Sequence, residues 1–235
     1  MNNKISTFKD NLTVIILCGG KGQRLRPLTY ELPKPLIKIK KKTILEYIIG
    51  HFLKFKIKNL VIATGYKHSL LKKFVNQKYK DGNIKVINTG LRSNILQRIK
   101  KIKKNDNGHF LVCYGDTLVD INLDKLINFY LNNNNKILIS SYELKSSFGI
   151  LDIDKNDTVK KFKEKPRLGI WFNIGYILFS KNYNKVLEKF NKFESFLDYC
   201  SKNNLMKSFK HRGKHITINT ITELENAKLE INKFL

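Results

Sequence analysis

Along the first half of the chain, apolar positions fall alternately into short continuous runs and helical stripes. Thr13 to Cys18 is apolar after its first residue and stops at Gly19-Gly20, the pattern of a strand buried on both faces that feeds a glycine loop. From Thr43 to Phe55, Ile44, Leu45, Tyr47, Ile48, Phe52 and Phe55 recur at helical spacing, and Thr43 with Glu46 forms a capping box. Leu60 to Thr64 reads as a second strand ending at Gly65, Ser69 to Tyr79 as a helix, Ile84 to Asn88 as extended and Asn94 to Lys104 as helix. Phe110 to Tyr114 is another strand, ending at Gly115-Asp116, and Leu123 to Leu131 is a helix stopped by the run Asn132 to Asn135. Such alternation predicts an α/β protein with a parallel sheet.

The second half is more hairpin-like. Ile137 to Leu144, Gly149 to Ile153, Val159 to Phe162 and Asn173 to Phe179 read as strands with turns between them. Lys181 to Phe190, Phe193 to Asn203 and Thr222 to Phe234 carry helical stripes, with His215 to Ile218 a short strand. These strands extend the sheet into a mixed one. No internal repeat or Pro- or Gly-rich linker interrupts the pattern, so residues 13–235 are read as one domain behind a polar tail of residues 1–12. Met1 to Asp10 lacks the hydrophobic segment of a secretory signal, and no apolar run approaches the ~20 residues of a membrane helix. A cytoplasmic protein without a membrane partner is expected.

Composition changes this picture little. The 235 residues are 42% hydrophobic and 11% aromatic, enough for a core and too much for a disordered polyelectrolyte. Lys and Arg number 45 against 19 Asp and Glu, a net charge of +26, which by itself points to a polyanion. The cations are spread along the whole chain, as in Lys72-Lys73, Lys100-Lys101, Lys103-Lys104 and Lys160-Lys161, and even the cluster Lys38, Lys40, Lys41 and Lys42 reads as a solvated loop. No specific nucleic-acid partner is expected. Cys18, Cys113 and Cys200 have no metal-knuckle spacing, and Cys18 and Cys113 end strands as small buried residues. His51, His68, His109, His211 and His215 share no triad or metal spacing.

The chemistry concentrates after the first strand. Leu17-Cys18-Gly19-Gly20-Lys21-Gly22-Gln23-Arg24-Leu25-Arg26-Pro27-Leu28-Thr29 places glycines where backbone N–H groups can turn toward an anion. It is neither a Walker loop nor a dinucleotide fingerprint, because the Gly-Lys-Ser/Thr ending and the third fingerprint glycine are missing. Leu32-Pro33-Lys34-Pro35-Leu36 then holds a lysine between two prolines that stiffen the backbone. Preorganised cations beside a glycine loop suit a transferase that neutralises a polyphosphate, with Arg24 the leading candidate.

Together these segments resemble the signature of the sugar-1-phosphate nucleotidylyltransferases. Further matches run in order: Thr64-Gly65-Tyr66-Lys67, Tyr114-Gly115-Asp116, Phe148-Gly149, Phe162-Lys163-Glu164-Lys165-Pro166 and Asn173-Ile174-Gly175. The resemblance covers about residues 13–231 and implies a Rossmann-like three-layer sandwich with a predominantly parallel mixed central sheet, the nucleotide-diphospho-sugar transferase fold. The left-handed β-helix acyltransferase domain that trails some members is not expected. The resemblance makes Arg24, Lys34 and Asp116 catalytic, and assigns nucleotide binding to Leu17, Gly19, Gly20, Gly22, Thr89 and Gly90. It puts the phosphorylated acceptor, a sugar 1-phosphate, against Gly149, Glu164, Lys165 and Asn173. Mg²⁺ would rest on Asp116 and Asn219. Asp120, four residues beyond Asp116, reads as a helix N-terminal acid. A homo-oligomer is compatible with the family.

Two departures stand out. Where members usually carry a second metal-binding aspartate, this chain has Asn219, whose amide oxygen brings no charge; weaker metal affinity, or a nucleotide-binding regulatory homologue, would follow. Where many members have a Gly-Thr-Gly-Gly-like turn, this chain reads Asn88-Thr89-Gly90-Leu91-Arg92-Ser93-Asn94-Ile95-Leu96-Gln97-Arg98. Thr89-Gly90 followed by Arg98 looks most like the cytidylyltransferase branch, making CTP the favoured nucleotide. The C-terminal half equally resembles heptose- or mannose-1-phosphate guanylyltransferases, which use GTP.

Overall fold

A computed structural model of the chain describes residues 2–80, 84–103, 108–134 and 136–233. Seven strands form the central sheet: β1 (Leu12–Cys18), β2 (Leu60–Thr64), β3 (Ile84–Asn88), β4 (His109–Tyr114), β5 (Ile137–Lys145), β6 (Arg167–Ser180) and β7 (Met206–His211). Their order across the sheet is β7-β5-β6-β4-β1-β2-β3. All pairings are parallel except those of β6, which runs antiparallel to both β4 and β5. The expected α/β sandwich with a predominantly parallel mixed sheet is therefore the fold observed.

Alternate side chains of the strands enter two cores. Val14, Ile16 and Cys18 of β1 face one, packed with helices α1 (Asn2–Asp10), α2 (Ile44–Lys54), α3 (His68–Lys78), α5 (Leu123–Leu131) and α7 (Ile221–Glu230). Ile15 faces the other, with α4 (Ile95–Lys103) and α6 (Phe193–Lys202). Period-two strands between period-3.6 helices give the three layers. α2 begins at the capping box read from the sequence: Glu46 N donates to Thr43 Oγ1 at 3.2 Å, and Thr43 N donates to Glu46 Oε2 at 2.7 Å.

Several local expectations change. Residues read as a polar tail form α1 and the start of β1; Phe8 is buried against the His109 and Tyr130 rings, and Leu12 is fully buried. From residue 2 to residue 12, three apolar residues among eight polar ones suffice because Lys9 also pairs with Asp124 at 2.5 Å. The Lys181 to Phe190 helix shrinks to Asn184–Glu188 after a 3₁₀ turn that Ser180 caps. β7 went unread because Lys207 and Lys210 break its alternation; it is an edge strand, where lysines are at home. Lys104 and Asn135, ends of two expected segments, lie outside the described residues, as does Phe234. Among the described residues no helix is long and apolar enough to cross a membrane.

Candidate active site

The C-terminal ends of β1, β2, β3 and β4 lie along one edge of the sheet, and β1 and β4 are neighbours although far apart in sequence. This is the switch point where an α/β sheet opens a ligand crevice. Here a cavity of about 470 Å³ is lined by Leu17, Gly20, Gly22, Gln23, Arg24, Lys34, Pro35, Gly115, Asp116 and Asn219, with Cys18 at its base.

Each side chain arrives by a local device. Gly22 has φ +61°, and a Cβ there would press on Thr29 and Lys34, so glycine alone turns the loop into the 3₁₀ turn Gln23–Leu25 that carries Arg24. Buried Thr29 closes the loop by donating to Gly22 O at 2.9 Å. Pro33 is the extended cap of the turn Lys34–Leu36, with Pro35 buried behind it, so the stiffness read from the two prolines holds Lys34 over the cavity. Asp116 follows β4 directly. The strand Thr117–Val119 pairs antiparallel with His215–Thr217, and Ile218 N donates to Asp116 O at 3.0 Å, which brings the chain at Asn219 alongside Asp116. Asn219 is steadied from the other side, its N–H donating to Glu223 Oε2 at 2.6 Å.

These groups meet on one point. Lys34 Nζ donates to Asp116 Oδ2 at 2.6 Å and to Asn219 Oδ1 at 2.9 Å, and Arg24 donates to the same Asn219 oxygen at 3.2 Å. Two cations against one carboxylate, beside main-chain amides of a glycine loop, make the cavity receptive to a polyanion. The oxygens of Asp116 and Asn219 already converge on a cation, the Lys34 ammonium, so as hard donors they fit Mg²⁺ once the lysine withdraws. Among the described residues no group of three or more His, Cys, Asp or Glu gathers for a metal, so phosphate oxygens would complete any such shell.

One residue beneath the site entered the sequence reading only as part of the Thr89-Gly90 resemblance, without this role. Arg98 is 6% exposed and donates to Gly19 O at 3.2 Å, Thr64 O at 3.0 Å and Thr89 Oγ1 at 2.5 Å, tying together the loops after β1, β2 and β3. A Cβ on Gly19 would overlap its guanidinium, which is why that position is glycine. The signal was there: Arg98 shares the apolar stripe of α4 with Ile95, Leu96, Ile99 and Ile102. The Thr89 hydroxyl, expected at the nucleotide, is committed inside the protein, receiving from Arg98 and donating to Thr64 O at 2.6 Å. Gly19 likewise lies buried behind the cavity rather than in its lining.

The acceptor residues stand apart from the cavity lining. Gly149 and Glu164 adjoin one another beside the Phe162 ring, and Glu164 and Lys165 form an exposed ion pair at 3.7 Å. Asn173 is nearer, its amide donating to the Tyr114 hydroxyl at 3.4 Å. Asp120 is no helix cap: Asn122 caps α5, while Asp120 accepts from Lys214 N at 2.7 Å and lies 3.0 Å from His211 Nε2. Burial pushes the Cys113 thiol up to about 12 and raises Cys18 as well, so neither supplies a thiolate. Burial also holds His51 and His215 down at about 4.

A model of the nucleotidyl transferase family matches residues 13–213. The chain belongs to that family. Like the other members, this nucleotidyl transferase passes a nucleotidyl group to a phosphorylated sugar and releases pyrophosphate. Its relatives span several branches. D-glycero-alpha-D-manno-heptose 1-phosphate guanylyltransferase of Campylobacter jejuni subsp. jejuni serotype O:2 is 32% identical over 199 residues, 79% of this chain and 85% of the relative. Glucose-1-phosphate cytidylyltransferase of Salmonella typhi is 27% identical over 180 residues, 66% of this chain and 70% of the relative. The crystal structure of HddC from Yersinia pseudotuberculosis complexed with GMP-PN has a TM-score of 0.70 at 25% identity, over 93% of this chain and 99% of that one. The cytidylyltransferase branch is thus not singled out.

Proposed function

We propose that this nucleotidyl transferase is a guanylyltransferase, moving GMP from GTP to a heptose 1-phosphate or a closely similar sugar 1-phosphate. This replaces the CTP favoured from the Thr89-Gly90 turn. Support for the nucleotide is the 32% identity to a heptose 1-phosphate guanylyltransferase, together with the likeness to a structure holding GMP-PN. Support for the chemistry is one observation: Arg24, Lys34, Asp116 and Asn219 converge within hydrogen-bonding distance beside a glycine loop.

The acceptor phosphate, with a second pKa near ~6, is largely a dianion at neutral pH, so its oxygen attacks without a general base. That oxygen bonds to the α-phosphorus as the α–β bridging bond breaks, and the electron pair leaves with pyrophosphate. Main-chain amides of Gly20 and Gly22 and the Arg24 guanidinium receive the triphosphate; Lys34, drawn from Asp116 by phosphate, follows the charge as it builds on the leaving group. Asp116 and Asn219 would hold Mg²⁺, which when bound neutralises phosphate oxygens and fixes their geometry. Glu164 and Asn173 orient sugar hydroxyls and Lys165 meets the acceptor phosphate.

Pyrophosphate release measured with GTP, CTP, UTP, dTTP and ATP against heptose, mannose and glucose 1-phosphates tests the proposal. GTP with heptose 1-phosphate is expected to turn over fastest, and a clear CTP preference would return the assignment to the cytidylyltransferase branch. Nucleotide binding without turnover across the panel would favour the regulatory reading that Asn219 raises. Asn219→Asp, titrated with Mg²⁺ against turnover, is expected to lower the metal concentration required; an unchanged dependence removes Asn219 from the metal site.

A further inference from the structure

β6 outruns its neighbour β4. Tyr176 to Ser180 pair with β4, but Arg167 to Asn173 run on past the end of that strand, over the edge where the crevice opens, and pair there only with β5. In register, Asn173 lies opposite Ser141 and Ser141 opposite Lys210 of β7, while Trp171 lies opposite Glu143. With a side-chain period of two, Asn173, Trp171, Ser141, Glu143 and Lys210 therefore share one face of the sheet. Trp171, the chain's single tryptophan, is half-buried there, with Lys210 Nζ 4.7 Å and the Arg212 guanidinium carbon 5.5 Å from its ring centre. Glu143, the acid opposite it, is taken up by Arg167 at 3.3 Å. Among the described residues no carboxylate pairs with Lys210 or Arg212. Two cations are thus held against an aromatic ring and left without a counter-ion, so the cost of ordering them is met before anything binds.

We propose that Trp171, Lys210 and Arg212 form a subsite for a second anionic group on the acceptor, which makes the substrate class a sugar 1-phosphate carrying a carboxylate or a further phosphate on a carbon remote from C1. The inference rests on the reading of Asn173 as a wall of the acceptor pocket. Position selects the acceptor over the nucleotide: the triphosphate residues stand on the loop after β1, and β4 separates β1 from β6. Trp171 stands one strand repeat from Asn173 on the same face, roughly 6.6 Å, about the breadth of a hexose ring, so a group on the far side of the sugar reaches the tryptophan while hydroxyls meet Asn173. Chemistry selects an anion. A guanidinium meets carboxylate or phosphate through paired N–H donors, and the ammonium adds a point charge beside it. A cationic group would instead face two uncompensated charges of its own sign.

Pyrophosphate release with GTP, measured against mannose 1-phosphate, mannose 1,6-bisphosphate and mannuronic acid 1-phosphate, is expected to give a KM roughly 10-fold lower for at least one of the two doubly anionic acceptors, and the lower of those two identifies the anion. Lys210→Gln with Arg212→Gln should bring the three KM values together. Lys72→Gln with Lys73→Gln removes the same charge from exposed positions on α3 and should preserve the ratio. Trp171 supplies a second readout that needs no turnover: its fluorescence should change at roughly 10-fold lower concentration of the favoured acceptor than of mannose 1-phosphate. Failure of nucleotidyl transfer is therefore separable from failure of the subsite. Equal KM values and equal fluorescence midpoints for the three acceptors overturn the proposal, as does a ratio lost equally in the Lys72, Lys73 variant, which would assign the preference to the general field of the protein.

Discussion

Lys34 sits between Asp116 and Asn219 at the spot where two oxygens converge, so in the free chain an ammonium already occupies the cation seat. A divalent ion must displace it, and Asn219 adds no charge to help. Triphosphate supplies what is missing, because its oxygens attract Lys34 and serve as ligands themselves. Mn²⁺ binding, followed by electron paramagnetic resonance, is therefore expected to be weak for the free chain and to rise sharply with GTP. Lys34→Met should bind Mn²⁺ more tightly than wild type without nucleotide while losing most turnover, since the cation that follows the leaving group has gone. Equal Mn²⁺ affinity in the two free chains would show that Lys34 does not hold the seat.

Among the elements, α4 matters through a single arginine. Removing the guanidinium with Arg98→Met takes one donor each from Gly19 O, Thr64 O and the Thr89 hydroxyl, at about 0.5–1.5 kcal/mol for each hydrogen bond lost, because Gly19 O still receives from Tyr66 N and Thr64 O from Thr89 N. A drop in Tm of several degrees and weaker nucleotide binding are expected by thermal shift; an unchanged Tm would mean the three loops hold themselves. α2 and the strand His215–Thr217 each carry a histidine that burial holds neutral, with pKa about 4 for His51 and about 4 for His215. The unfolded chain takes up those protons near pH 6.5, so between ~6.5 and ~4 it binds more protons than the native state. Stability is then fully present above ~6.5 and falls as pH drops toward 4, by on the order of 2–3 kcal/mol for each histidine. Tm measured over that range should fall steeply, and His51→Phe should flatten the slope.

For the whole molecule, +26 acts as a long-range field more than as a site. It should speed capture of a tetra-anionic nucleotide at low salt and lose that advantage as salt is raised, because screening shortens the field's reach. Stopped-flow association of a fluorescent GTP analogue is expected to slow strongly with salt while its dissociation rate changes little; a salt-dependent dissociation rate would instead indicate direct ion pairs of dispersed lysines with the nucleotide. The sheet's strands were legible only in part, and their order not at all. Alternating runs and stripes marked the parallel half, but β7 stayed hidden because an edge strand needs no apolar alternation, and α1 because two or three anchors are enough when a core waits for them.

Local chemistry belonged to the sequence alone: the lysine between prolines, the capping box and the two-faced β1 run are properties of neighbouring residues, and each formed as read. Tertiary structure decided everything that depends on residues distant in the chain. Asn219 reaches Asp116 only because Thr117–Val119 pairs with His215–Thr217. Lys34 faces both only after β1 and β4 become neighbours, and Arg98 turns from a basic residue on a helix into the tie beneath three loops only once the sheet has buried it. The physical reason is common to all three: hydrogen bonds and burial between distant segments depend on packing geometry that spacing along the chain does not encode.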